Sequence, residues 1–268
     1  MNPDLFAVRS ILFLPASNPR AIAKARDSDA DLVVLDLEDA VKPADKESAR
    51  AAALEPVEAE WRMPVAIRVN GVGTEWHSAD LDAVARSNCQ SAVLPRTSSL
   101  HLFHGAREAV GKPMLAMIET AAGVLAAAEI AKEAAALVAG TNDLRADLRL
   151  PLGATREPIS TALQMIVLAA RANGIPAFDG VFNQLKDPDG LRAEAEEGRS
   201  LGFDGKSLIH PDQIAPCNGA FAPAAEEIDR ARRLVDAFSG GAERFEDEMI
   251  ERMHIEAAQR VLQRAGRV

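Results

Sequence analysis

Short apolar runs rich in β-branched residues alternate with Ala-rich amphipathic segments along most of this chain, and that alternation restricts the fold more than any other feature. Parallel strands joined by crossover helices produce it, because strands covered on both faces read as nearly continuous apolar runs. Eight runs qualify: Ser10–Leu14, Leu32–Leu37, Val65–Asn70, Ser91–Pro95, Met114–Glu119, Ala136–Gly140, Ile175–Asp179 and Lys206–His210. Helix signals fill the intervals. Pro19 opens one segment and Ser98 caps another, while Ile159, Leu163, Ile166, Val167 and Ala170 share one helical face that Gly174 ends. Eight equivalent strand–helix units predict a closed (β/α)8 TIM barrel rather than an open doubly wound sheet. The open sheet would call for a dinucleotide-binding loop, and Asn70-Gly71-Val72-Gly73-Thr74 lacks the third glycine at the required spacing.

No linker or low-complexity tract interrupts residues 1–222, which are read as the barrel. Residues 223–268 are read as additional C-terminal helices, a lid or an inter-subunit arm. One is expected over Pro223–Phe238, a joint at Ser239-Gly240-Gly241, and a last helix over Phe245–Ala265 with Ile250, Met253, Ala257 and Val261 as its apolar stripe.

Composition narrows the function classes. With 30 Lys plus Arg against 40 Asp plus Glu, a net charge of −10 speaks against a nucleic-acid partner, which needs concentrated positive charge. No stretch reaches the roughly 18 apolar residues of a membrane span and no secretory leader is evident, so no membrane partner and a cytoplasmic location are expected. Tyr is absent and aromatics are 4%, which disfavours base-stacking platforms. Cys89 and Cys217 match no zinc spacing and are read as ordinary thiols.

Barrels of this kind carry their chemistry at the C-terminal ends of the strands. Here those ends are rich in acids. The second finishes with Asp36, Glu38 and Asp39, the third with Arg68 and Asn70, the fifth with Glu119, and the sixth runs into Asn142 and Asp143. Asp36 and Glu38, two apart, face the same side of their strand. Several carboxylates in one mouth raise the cost of ionising each other, and a cation relieves it. Oxygen ligands without clustered His or Cys point to Mg2+, with Mn2+ as a substitute. Glu119 and Asp143 are the candidate metal ligands, their alternative being to cap the following helices. Asp36, Glu38 and Asp39 support the metal and Arg68 from behind or touch them directly. Arg68 has the planar fork to hold a substrate carboxylate or an enolate oxygen, its alternative being a salt bridge to the same acids. Lys206 begins its strand, away from the active end, and is not read as a Schiff-base nucleophile; His210 stands alone and supports no triad.

Taken in order, "RSILFLPASNPRAIAKA", "ADLVVLDLEDAVKPADKESAR", "IRVNGVGTEW", "VLPR", "AMIETAAGVLAAAEIA", "GTNDLRADL" and "GFDGKSLIHPDQI" span nearly the whole chain. The series resembles the citrate lyase β-subunit-like family of the HpcH/HpaI aldolase superfamily. That resemblance implies a barrel assembled as a homo-oligomer, a trimer or hexamer, using Mg2+ to cleave or form a carbon–carbon bond. The substrate it implies is a small 3-hydroxy dicarboxylic acid thioester, such as a malyl, citramalyl or citryl derivative of coenzyme A or an acyl-carrier protein. It gives Glu119 and Asp143 the metal, and Arg68 together with Glu119 the substrate's acid end. The family's C-terminal "MID" is Met249-Ile250-Glu251 here, which makes Glu251 the candidate catalytic acid/base, its alternative being an exposed charge on the final helix. Two further positions depart from the family's pattern: Pro15-Ala16-Ser17-Asn18 has no glycine where the first loop usually carries one, and Asn142 replaces an acid. Arg20, Arg96, Arg145 and Arg149 are weighed as phosphate contacts against solvated surface charges, and the surface reading is preferred for all but one of them. Two other readings stay open: a carrier-free aldolase acting on pyruvate or oxaloacetate, and a non-catalytic metabolite-binding or regulatory subunit.

Overall fold

A computed structural model describes residues 4–266. Eight parallel strands close into a barrel in sequence order: β1 Ser10–Pro15, β2 Leu32–Asp36, β3 Val65–Arg68, β4 Ser91–Leu94, β5 Met114–Ile118, β6 Ala136–Ala139, β7 Ala177–Asp179 and β8 Gly205–Leu208. Closure runs through β1 and β8, where Ser10 lies opposite Lys206 and Leu12 opposite Leu208. The helices are α1 Pro19–Ala25, α2 Lys46–Val57, α3 His77–Arg86, α4 Leu100–Val110, α5 Ala121–Ile130, α6 Thr141–Asp147, α7 Ser160–Ala172, α8 Pro188–Leu201 and α9 Ile214–Phe221. Most strands stop one or two residues before the apolar run does, although Leu37, Val69 and Gly140 just beyond them still donate to a neighbouring strand. The cap of α4 is Ser99, whose hydroxyl accepts from the Leu102 N–H, not Ser98.

Period two along the strands sorts the interior. Ile11, Leu32, Val34, Ala66, Val93, Leu115, Met117, Ala136, Val138 and Phe178 fill the barrel, with Leu5 and Val8 in the same cluster. The same alternation, carried one step further, puts Asp36 after Val34, Arg68 after Ala66 and Glu119 after Met117. The inner wall therefore changes from hydrocarbon to charge at the C-terminal rim, which is where a barrel keeps its site.

Lys206 is fully buried and its ammonium is 2.9 Å from Asp179 Oδ2 and 2.7 Å from Glu194 Oε1. Arg156 joins them at 2.7 Å from Asp179 Oδ1. Burial opposes the charge on Asp179, but Lys206 and Arg156 outweigh it and lower its pKa. This cluster ties β7 and β8 to α8 and commits the lysine to ion pairing. His210 caps the turn at Pro211–Gln213, its Nδ1 accepting from the Asp212 N–H at 3.2 Å. Both cysteines are free and buried. Among the described residues no helix is long and apolar enough to cross a membrane.

The chain divides into two compact units, the first reaching Ala220 and the second beginning at Phe221. In the second, α10 Ala225–Ala237 is followed by a two-stranded antiparallel hairpin, β9 Glu243–Phe245 and β10 Glu248–Ile250, and then α11 Arg252–Ala265. The hairpin corrects the expectation of one helix from Phe245 onward: Ile250 is a strand residue, and Glu246 between the strands has a φ of 53°. The apolar stripe also shifts. Met253 is 61% exposed, while Ile255 and Ala258 are buried against Ala231 and Leu234 of α10.

Candidate active site

Strand register alone brings the first ion pair together. Asp36 of β2 stands directly opposite Arg68 of β3, and both side chains turn into the barrel. The guanidinium meets the carboxylate as two parallel bonds, Nε to Oδ1 and Nη2 to Oδ2, each 2.6 Å. Asp36 also accepts from the N–H groups of Glu38 and Ala40, at 2.8 and 3.0 Å, so both of its oxygens are engaged. Arg68 Nη1 lies 3.1 Å from Glu38 Oε2, and the guanidinium carbon sits 5.3 Å from the Phe13 ring centroid. Burial works against the charge of Arg68, yet Asp36, Glu38 and Glu119 keep its pKa raised.

Arg68 opens onto a cavity of about 390 Å3 whose wall includes Phe13, Asp36, Asp39, Met117, Glu119, Thr141, Asn142 and Asp143. Glu119 is buried, and one of its oxygens accepts from the Arg96 N–H. It does not cap the next helix, because Thr120 does so, its hydroxyl accepting from the Gly123 N–H at 3.0 Å. Asp143 lies in the first turn of α6, which starts from Gly140 without a side-chain cap. Asp143 Oδ1 is 3.3 Å from Arg96 Nη1. Gly140 passes so close beneath Glu119 that a Cβ there would overlap the carboxylate. Gly140→Ala is therefore expected to cost about 1–3 kcal/mol in denaturant unfolding and to weaken any ligand held by Glu119, as read by titration calorimetry.

Charge at this rim is unbalanced. Burial lifts the Glu119 pKa to about 7 against the Arg96 N–H bond, with Asp143 pushing the same way. Burial likewise lifts Glu38 to about 7 in spite of Arg68. Asp143 is raised by burial and by Asp39, with Arg96 opposing. These acids share Arg68, the half-exposed Arg96 and the buried Lys46, whose ammonium is spent on the carbonyls of Leu37 and Glu38 at 2.8 and 2.6 Å. The deficit is in positive charge.

Whether a hard cation suits the site turns on the donors. Among the described residues no group of three or more His, Cys, Asp or Glu is placed to hold an ion, so the chain builds no all-protein cage. Two carboxylates short of a counter-charge, beside a cavity, are instead the donor set of Mg2+, which keeps waters and substrate oxygens in its shell. The buried Thr141 Oγ1 lacks a hydrogen-bond partner on the same wall. The donors fit Mg2+.

The structure thus gathers Arg68, Asp36, Glu38, Asp39, Glu119 and Asp143 at one rim. Glu251 belongs to the second unit, where it precedes α11 and its N–H donates to His254 Nδ1 at 2.9 Å. Thr141 stands with Asn142 and Asp143 in the polar run after the sixth strand, whereas sequence reasoning gives no role to Lys46 or Gly140. Lys46 sits in a surface-like helical stretch, and Gly140 opens the "GTND" string, whose glycine is the signal of a tight strand-to-helix turn.

Comparison with known proteins agrees with this architecture. A (3S)-malyl-CoA thioesterase of Cereibacter sphaeroides is 40% identical over 96% of this chain and 94% of its own. The citrate lyase subunit beta of Leuconostoc mesenteroides subsp. cremoris is 32% identical over 96% and 93%. Among solved structures, protein CitE from Mycobacterium tuberculosis in complex with magnesium, acetoacetate and coenzyme A superposes with a TM-score of 0.87 at 34% identity, covering 98% of this chain and 100% of that one. The model of the HpcH/HpaI aldolase/citrate lyase family matches residues 9–211, and with a barrel built as described the chain belongs to that family.

Proposed function

We propose that this protein is a Mg2+-dependent carbon–carbon lyase that cleaves or forms a small 3-hydroxy dicarboxylic acid thioester of coenzyme A, of the malyl class. One observation carries the reading: an anion-binding guanidinium and two under-neutralised carboxylates share a single cavity at the active rim of the barrel. Glu119 and Asp143 would hold the ion, and Mn2+ satisfies the same oxygen donors. When bound, Mg2+ supplies a Lewis acid for the oxygens of the keto or hydroxy acid. Arg68 is the residue to grip the acid end of the substrate. Its Nε and Nη2 are occupied by Asp36, so Nη1, facing a Glu38 that ionises near neutrality, is the edge from which a substrate carboxylate displaces a competitor at least cost. Asp36 keeps the fork rigid, which matters because a displacement of about 1 Å can cost a hundredfold in rate. Phe13 and Met117 flank the guanidinium, the ring centroid 5.3 Å from its carbon and the Met117 sulfur 3.6 Å from Nη1. Glu251 takes the proton-transfer role on the strength of its sequence motif, and Glu251→Gln is expected to leave binding intact while removing turnover.

The 40% identity to a malyl-CoA thioesterase favours a second reading, hydrolysis of the same thioester. Both are separated by the products of (3S)-malyl-CoA with MgCl2. Glyoxylate and acetyl-CoA mark carbon–carbon cleavage, whereas malate and a free CoA thiol mark hydrolysis. Malate or oxaloacetate processed equally well without the carrier would overturn both.

Ion binding should depend on pH with a definite sign. Because the Glu119 carboxyl is raised to about 7 and Asp143 is raised as well, protons compete with the cation at low pH. Affinity is full above pH 7 and is lost as pH falls through it. Between pH 8 and pH 6 calorimetric Mg2+ affinity is expected to fall roughly tenfold, with proton release on binding.

A further inference from the structure

Arg96 touches both candidate ion ligands, and with two different parts of itself. Its backbone N–H donates to Glu119 Oε1, and its guanidinium Nη1 lies 3.3 Å from Asp143 Oδ1. The backbone has a φ of 48°, the left-handed region that residues bearing a Cβ seldom enter. Such conformations persist where the surroundings hold them and concentrate at functional sites. Here the turn after β4 aims the N–H of Arg96 at the end of β5, where Glu119 waits.

The two arginines of the rim are held very differently. Arg68 is locked by two 2.6 Å bonds to a fully engaged, buried carboxylate. Arg96 has a guanidinium about half exposed, and its single bond to Asp143 is long. That bond costs little to break, while the N–H bond to Glu119 belongs to the main chain and does not depend on where the side chain goes.

We infer that Arg96 is a placeholder cation for the ion site: its guanidinium neutralises Asp143 while the site is empty and yields that oxygen to Mg2+, as its N–H keeps Glu119 in position throughout. This rests on the reading of Glu119 and Asp143 as the ion's ligands. A positive group that must leave a ligand oxygen lowers the apparent affinity for the ion and, by linkage, stabilises the empty protein by the same factor. Arg96 is thus a positioning residue, and its effect must vanish once the site is filled.

Arg96→Asn tests this, since Asn tolerates left-handed backbone and retains the N–H. Thermal unfolding of the full chain with and without MgCl2, together with calorimetric titration by MgCl2, gives two independent readings. Without Mg2+ the variant is expected to melt about 2 °C below the parent. At saturating Mg2+ the two should coincide, with Mg2+ affinity of the variant roughly two- to fivefold tighter. A melting gap that Mg2+ leaves unchanged, or an affinity equal to or weaker than the parent's, overturns the inference, because a purely structural role would cost the same in both states. Should Arg96→Asn fail to fold, Arg96→Gly relieves the backbone and carries the same comparison. If Mg2+ binds the parent, is lost in Asp143→Ala and yet ignores Arg96, only the placeholder falls. If Mg2+ raises the melting temperature of neither protein, the ligand assignment falls first.

Discussion

Arg68→Met should be the most damaging single change in the barrel, lowering stability by about 3–5 kcal/mol and removing substrate binding together. Asp36 is 1% exposed and loses two of its four bonds, which leaves its carboxyl group in the wall with the N–H groups of Glu38 and Ala40 as its remaining hydrogen-bond donors. Removing one partner of a buried pair is costly because the other stays uncompensated. At roughly 2–4 °C per kcal/mol for a domain of this size, the melting temperature should fall by about 10 °C. Adding Asp36→Asn to Arg68→Met is expected to recover part of that stability without recovering affinity for the acid substrate. The double-mutant comparison therefore separates the charge left behind from the charge lost. If Arg68→Met alone unfolds no more easily than the parent, the buried pair does not hold the rim together.

Asp143→Ala should show the opposite pattern, a large loss of function with little loss of fold. Its side chain is 35% exposed and makes one long contact to a half-exposed arginine, which is worth little to stability. Turnover is nonetheless expected to drop on the order of 10^3-fold, the scale of removing a group on which transition-state charge stabilisation depends. Calorimetry should find Mg2+ binding lost. A second effect follows from charge alone: Asp143 helps to raise the Glu119 pKa, so in the variant Glu119 should titrate lower, as followed by its side-chain carbon resonance. Retained Mg2+ affinity in Asp143→Ala would remove the carboxylate from the ion's ligands.

Glu119 illustrates how the site could be read in part before folding. Alternation within "MLAMIE" assigns it to the same face as Met117, and the end of a barrel strand assigns it to the active rim. What alternation leaves open is its partner. The choice between capping α5 and facing the cavity is made by Thr120, a better cap one residue on, and by the Arg96 N–H, which comes from the preceding strand's loop. Lys46 was invisible for a related reason. It follows Ala44-Asp45 in a stretch that reads as solvated, and it is buried because α2 folds back over the end of β2, where the carbonyls of Leu37 and Glu38 need a donor. The C-terminal stripe was misplaced because helical periodicity was projected through Phe245–Ile250, six residues that a hairpin takes out of the helix.

By itself, the sequence determined the barrel, the side of each strand that faces inward, and which rim carries the acids. Those properties follow from periods of two and 3.6 and from the order of strands and helices, all local or nearly so. Tertiary structure decided which charges meet. Asp36 binds Arg68 because parallel register sets them opposite one another, Lys206 is spent on Asp179 because β8 closes beside β7, and Arg96 joins Glu119 to Asp143 because one left-handed residue turns a loop. Pairings of this kind depend on distances between residues far apart in the chain, and barrel closure fixes those distances.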